Sequence, residues 1–146
     1  MTEEMTHLMP HAATTLDLLE RAREAVTSGY AASAASTRYL AASLGALRAA
    51  AALLAARPAR ESSGPGPHDV WVLTARAAPE LTEWADRFAL VTGHRVGVET
   101  GLVRVGAREA DDLLRDAETF VDLVATRLGV PMAHASGRRL VPVRSA

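Results

Sequence analysis

A chain of 146 residues is long enough for one domain with a single core and too short for two. Aromatics make up only 4% while Ala, Leu and Val dominate, which suits close helix–helix packing and disfavours a β-sandwich. The formal net charge of −1 argues against a dedicated duplex-DNA binder, and the absence of Cys excludes disulfides, thiolate zinc sites and cysteine nucleophiles. All sixteen basic residues are Arg and thirty residues are Ala, the bias of a G+C-rich bacterial genome, so Arg richness alone does not signal anion binding.

The start, "MTEEMTHLMP", is acidic and polar, unlike the basic start of a signal peptide, and a cytoplasmic protein is expected. Residues 1–13, with Pro10 and no apolar periodicity, read as a flexible tail. A first helix is predicted from Thr14 or Thr15, each able to accept a backbone N–H as an N-cap. Leu16, Leu19, Ala22 and Val26 recur at helical spacing, and Gly29 stands where a helix commonly ends.

The second helix is predicted over 33–57, with Tyr39, Leu40, Leu44, Leu47, Ala50 and Leu54 in one stripe. Its run "ALRAAAALLAA" is short for a membrane span and carries Arg48, so it reads as a buried helix, with no membrane partner expected. "RPARESSGPGPHD" (57–69) holds three Pro, two Gly and two Ser and is the one clear internal loop, either mobile or covering a site.

A short helix is predicted over 69–78 with Asp69 at its start. Pro79 then opens another, on which Leu81, Trp84, Phe88, Val91 and Val98 share a broad face. Val96 and Val98 alternate as in a strand but have no evident partner, so they are assigned to the helix, and Thr100-Gly101 marks its end. The last helix, over 106–128, places Ala110, Leu113, Leu114, Ala117, Val121, Val124, Ala125 and Leu128 on one side and charge on the other. Gly129 and Pro131 stop it, and residues 130–146 form a basic tail. The expected fold is all-α, an antiparallel up-and-down bundle of four main helices plus one short one.

Most chemistry-bearing residues have a plain structural explanation. His7 and His11 are spaced i,i+4, as metal ligands on a helix are, but they fall in the expected tail, and no metal or other cofactor is expected. Asp111, Asp112, Asp116, Glu118 and Asp122 read as the solvated face of the last helix. Trp71 and Trp84 lie in apolar helical patterns and read as core anchors, not base-stacking platforms. Arg138, Arg139 and Arg144 have the charge to touch phosphate, yet a loose terminus explains them more simply.

"LLERAREAVTSGYAASAASTRYLAASLGALRAAAALLAAR" (18–57), "VWVLTARAAPELTEWADRF" (70–88) and "AREADDLLRDAETFVDLVATRLG" (107–129) together resemble the HEPN domain (higher eukaryotes and prokaryotes nucleotide-binding). The combination of Trp71, "APEL" and Trp84 is similar to an uncharacterised actinobacterial branch of that group. The resemblance spans residues 14–129. It implies a homodimer, and in active members a metal-independent endoribonuclease with an Arg-x4–6-His motif. Inactive members serve as partner or nucleotide-binding modules.

Arg87 and His94 match that motif within "DRFALVTGHR". The resemblance implies an acid–base role for the His and stabilisation of phosphorane charge by the Arg. On a continuous helix they share a face about 10 Å apart, with Leu90 between them. Leu90 also lies nearly opposite Leu81 on the helical wheel, where a monomer favours a polar residue, and so supports a dimer seam. Three features count against catalysis. Phe88 stands where active relatives carry a polar residue, and Gly93 is placed to break the helix. Five His among sixteen Arg also yield about 1.6 such pairs by chance, and the sequence holds two, the other being Arg127 with His134. The favoured expectation is a homodimeric binding or regulatory module for RNA, a nucleotide or a protein partner. A toxin-type ribonuclease using Arg87 and His94, or a purely structural subunit, are the alternatives.

Overall fold

A computed structural model describes residues 2–58 and 69–130, with side chains from Thr14 onward. Among the described residues five helices pack together: α1 (Thr2–Ala31), α2 (Ala35–Ala55), α3 (Val70–Ala77), α4 (Thr82–Glu99) and α5 (Ala107–Arg127), with a 3-10 turn at Pro79–Leu81 before α4. The described residues contain no strand, and the architecture is the expected bundle of four long helices and one short one.

The centre of the bundle is α2, which touches each of the other four helices. It is also long and apolar enough to cross a membrane, but its packing makes it the core helix. The predicted stripe holds for Tyr39 and Ala50, but its leucines are not the deepest residues. Ala42, Ala46, Ala49, Ala50 and Ala52 are fully buried with Tyr39 and Leu53, while Leu40, Leu44, Leu47 and Leu54 are half-buried along the margins. Small side chains let the surrounding backbones close in, and the leucines cover the flanks.

Two boundaries differ from expectation. The helix predicted to begin near Thr14 begins at Thr2, so the segment expected as a loose tail has a helical backbone. Glu3, Glu4, Met5, Leu8, Ala12 and Ala13 are sound helix formers, and acidic residues in the first turn complement the helix dipole. Lack of apolar periodicity removes a packing face, not the helix itself. Gly29 lies inside α1 and does not terminate it. A Cβ at this position would stand 2.7 Å from Leu114 Cδ1, so the glycine is required by the close approach of α1 to α5.

Asp69 caps α3: its Oδ1 accepts from the backbone N–H groups of Trp71 (2.8 Å) and Val72 (3.3 Å). At the other end of the chain order, Gly129 adopts a left-handed φ of 68°. There the Val130 N–H reaches Ala125 O and the Gly129 N–H reaches Thr126 O, the paired bonds that satisfy the last carbonyls of α5.

All four Trp and Phe residues of the chain meet in one cluster. Phe88 and Phe120 stand 5.2 Å apart at its centre, with Trp71 stacked on Phe88 at 5.6 Å and Trp84 at 6.3 Å. Trp71 is 4% exposed and Trp84 half-buried, so both are core anchors, Trp71 the deeper. The Trp71 Nε1–H donates to Thr92 Oγ1 (2.9 Å), whose hydroxyl donates to Phe88 O (2.8 Å), so the one polar atom of the buried indole is satisfied.

Candidate functional site

The residues singled out for chemistry lie on α4, so the state of that helix decides what they do. α4 runs unbroken from Thr82 to Glu99, through Gly93, which does not break it. A Cβ at Gly93 would meet nothing within 4 Å, so this glycine faces open space. Seven residues of continuous helix turn His94 to within about 20° of the direction of Arg87, two turns and about 10 Å further along. Both are exposed, and Leu90 between them is 71% exposed. Val96 and Val98 are helical as assigned, Val98 buried and Val96 open.

The two side chains differ in what they meet. Arg87 Nη2 lies 2.6 Å from Asp116 Oδ2 on α5. His94 has no hydrogen-bond or ion-pair partner among the described residues. Beside Arg87 lies the phenol of Tyr39 on α2, raised above its ordinary pKa by burial, then by the charge of Glu109, with Arg87 opposing. That phenol therefore stays neutral across the physiological range. Arg87 thus sits where α2, α4 and α5 converge, with its charge answered by a carboxylate.

That carboxylate escaped the sequence reading. Asp116 was expected on a solvated face together with Asp111, Asp112, Glu118 and Asp122. In the structure Asp116 holds Arg87 and Asp111 holds Arg38 at 2.6 Å, and Glu118 accepts a hydrogen bond from the Tyr30 hydroxyl. Burial, followed by this bond, pushes the Tyr30 phenol up to about 12. The acidic edge of α5 is thereby stitched to α1, α2 and α4. Spacing within α5 gives no sign of this, because it does not report which flank a neighbouring helix will meet.

As chemistry, the arrangement is limited. Acid–base work by His94 needs a substrate hydroxyl within hydrogen-bond reach, and Arg87 has to meet the same phosphate. A phosphate arriving at Arg87 must compete with Asp116. Four surface hollows are lined by other residues and include neither Arg87 nor His94. No group of three or more His, Asp or Glu among the described residues is arranged to hold a metal ion. The side chains of His7 and His11, and all of His134, Arg138, Arg139 and Arg144, lie outside the described residues.

No curated protein and no solved structure matches the chain. A family model does: that of the SAV_6107-like HEPN domains, over residues 29–125, which takes in α2 to α4, most of α5 and the end of α1. With that span covering well over half of its length, the chain belongs to the SAV_6107-like HEPN family.

Proposed function

We propose that this HEPN domain is a homodimeric binding or regulatory module, engaging RNA, a nucleotide or a protein partner without cleaving it. The Arg87–Asp116 ion pair carries the reading. A ribonuclease centre needs a guanidinium free to meet the developing phosphorane charge, in surroundings that attract a polyanion. Here Asp116 already accepts from Arg87, Glu109 lies close by, and Glu83 stands one turn earlier on the same face of α4. A scissile phosphate arriving at Arg87 meets these carboxylates first, which opposes cleavage at this pair but not binding elsewhere on the domain. The exposure of Leu90 supports the dimer, because a two-fold contact through this face removes a large apolar side chain from water.

The metal-independent endoribonuclease is the second reading, and one observation favours it. The unbroken α4 keeps Arg87 and His94 on one open face, the geometry a cleft between two copies would use. A purely structural subunit needs only the apolar seam. Purified full-length protein incubated with single-stranded and structured RNA in EDTA separates these readings. The module reading expects retention of RNA or another ligand with the RNA left intact. Cleavage that disappears in a folded His94→Ala variant would overturn it and put the nuclease in its place.

A further inference from the structure

Beside the first half of α4, between it and α3, lies a hollow of about 340 Å³. Its floor is apolar, made by Trp71, Ala75, Ala85 and Ala89, with the exposed Val72 at its lip. A knob stands at the other end of the same helix. Gly101, with a left-handed φ of 77°, turns the chain back after α4, and the Val103 N–H donates to Gly97 O (2.9 Å). A Cβ at Gly97 would stand 2.5 Å from Val103 Cγ2, so the returning loop lies directly on α4. The loop carries Leu102, 86% exposed and the most exposed large apolar side chain among the described residues, and then the exposed Arg104.

Hollow and knob lie to either side of Gly93, where a Cβ would meet open space. Of the eight large apolar side chains exposed among the described residues, five gather on or beside this stretch: Val72, Leu90, Val96, Leu102 and Val103. Apolar exposure concentrated in this way marks an association surface.

We infer that the 101–104 loop of a second copy occupies the hollow, brought there by two α4 helices crossing antiparallel on a two-fold axis at Gly93, an arrangement that rests on the homodimer reading and specifies its seam. Such an axis sets each residue of α4 against the partner residue equally far from Gly93 on its other side. Leu90 and Val96 are each three residues from Gly93, about 4.5 Å along the helix and about 60° to opposite sides of it. Each exposed Leu90 therefore covers the partner's Val96. Ala89 and Gly97 are each four residues away, about 6 Å. The partner's Val103, seated on the partner's Gly97, thus arrives at Ala89 on the edge of the hollow, and the partner's Leu102 comes to the apolar floor.

Charge agrees with shape. Asp86 and Arg104 are exposed and have no ion-pair partner among the described residues. The hollow's lining holds two acids, Asp69 and Asp86, against the single base Arg76, so a basic arrival is favoured. The crossing brings the partner's Arg104 to the Asp86 end of the hollow, and every contact occurs twice. A parallel pairing would set acid against acid and knob against knob, leaving both hollows empty.

The chain has no Cys, so a single introduced one reports without background. At the spacing of packed helices, about 8–10 Å between axes, two β-carbons on the axis come within disulfide reach. Full-length Gly93→Cys is therefore expected to give a disulfide-linked dimer on mild oxidation, while Glu24→Cys on the exposed side of α1 stays unlinked. In sedimentation, Asp86→Arg and Arg104→Asp should each raise the dimer dissociation constant about tenfold or more, and their combination should restore it to within about threefold. Leu102→Asp alters only the loop and should weaken the dimer as strongly, which keeps the test valid if a charge variant fails to fold. Linkage at position 93 with an undiminished Leu102→Asp dimer would overturn the docked loop. A dimeric parent that neither links there nor weakens in any variant would overturn the whole arrangement and leave the homodimer reading standing, whereas a monomeric parent would overturn both.

Discussion

α4 has two sides that obey different rules. Its inner side carries Ala85, Phe88 and Val91, all buried, with Phe88 set between Trp71 of α3 and Phe120 of α5. Its outer side carries Asp86, Ala89, Leu90, Gly93, His94 and Val96, with Leu90 71% and Val96 68% exposed. The helix is continuous, so backbone geometry is the same on both. What differs is the number of neighbours that have to agree. An inner residue is constrained by packing from several directions, and outer ones such as Leu90 and Val96 by little among the described residues. Stability should therefore reside on one side and association on the other.

The sharpest test of the inner side is Phe88→Ala. Phe88 is fully buried and meets both Trp residues and Phe120 through its ring. Truncation leaves a cavity at the centre of the cluster and should cost about 3–5 kcal/mol in denaturant unfolding. A loss below about 1 kcal/mol would mean the cluster is not the mechanical centre of the fold.

Two glycines sharpen the contrast with opposite signs. Gly29→Val drives a branched side chain into Leu114 and Ala41, where less than a methyl group's space is left, and should cost about 1–3 kcal/mol. Gly93→Ala adds a methyl group to open space in a helix interior and should stabilise by about 0.5–1 kcal/mol. Thermal or denaturant midpoints measured side by side decide the matter. Two changes of the same sign would erase the distinction between an enclosed glycine and an open one.

The same contrast explains what was legible in the sequence. Residues enclosed on several sides leave a periodic trace, and so α5's stripe from Ala110 to Ala125 and the inner face of α4 read correctly from spacing alone. On α2 periodicity gave the right helix and the buried Tyr39 and Ala50 but grouped with them leucines that lie along the margins, because spacing does not say which side of a central helix the closest neighbour takes. Gly29 read as a stop because helix-ending and helix-crossing glycines look alike until the crossing partner, Leu114, is placed. At the candidate site, Arg87 and His94 were visible as a pair. Asp116 was not, since its meeting with Arg87 depends on how two distant helices are rotated against each other.

The smallest expected change in stability belongs to Leu90, and there the two sides part most clearly. Leu90 meets solvent over most of its surface, so Leu90→Asp removes little packing and costs only the lower helix propensity of Asp, about 0.5 kcal/mol. On the proposed dimer, the same change sets a carboxylate on each side of the two-fold axis, where burial without a partner is unfavourable. Light scattering of the parent chain at tens of micromolar should give the mass of a dimer, and the variant that of a monomer with an almost unchanged unfolding midpoint. A monomeric parent would remove the association half of the contrast. A variant that stays dimeric would move the seam off α4, and one that unfolds outright would show that Leu90 is packed in the dimer as tightly as Phe88 is in the core.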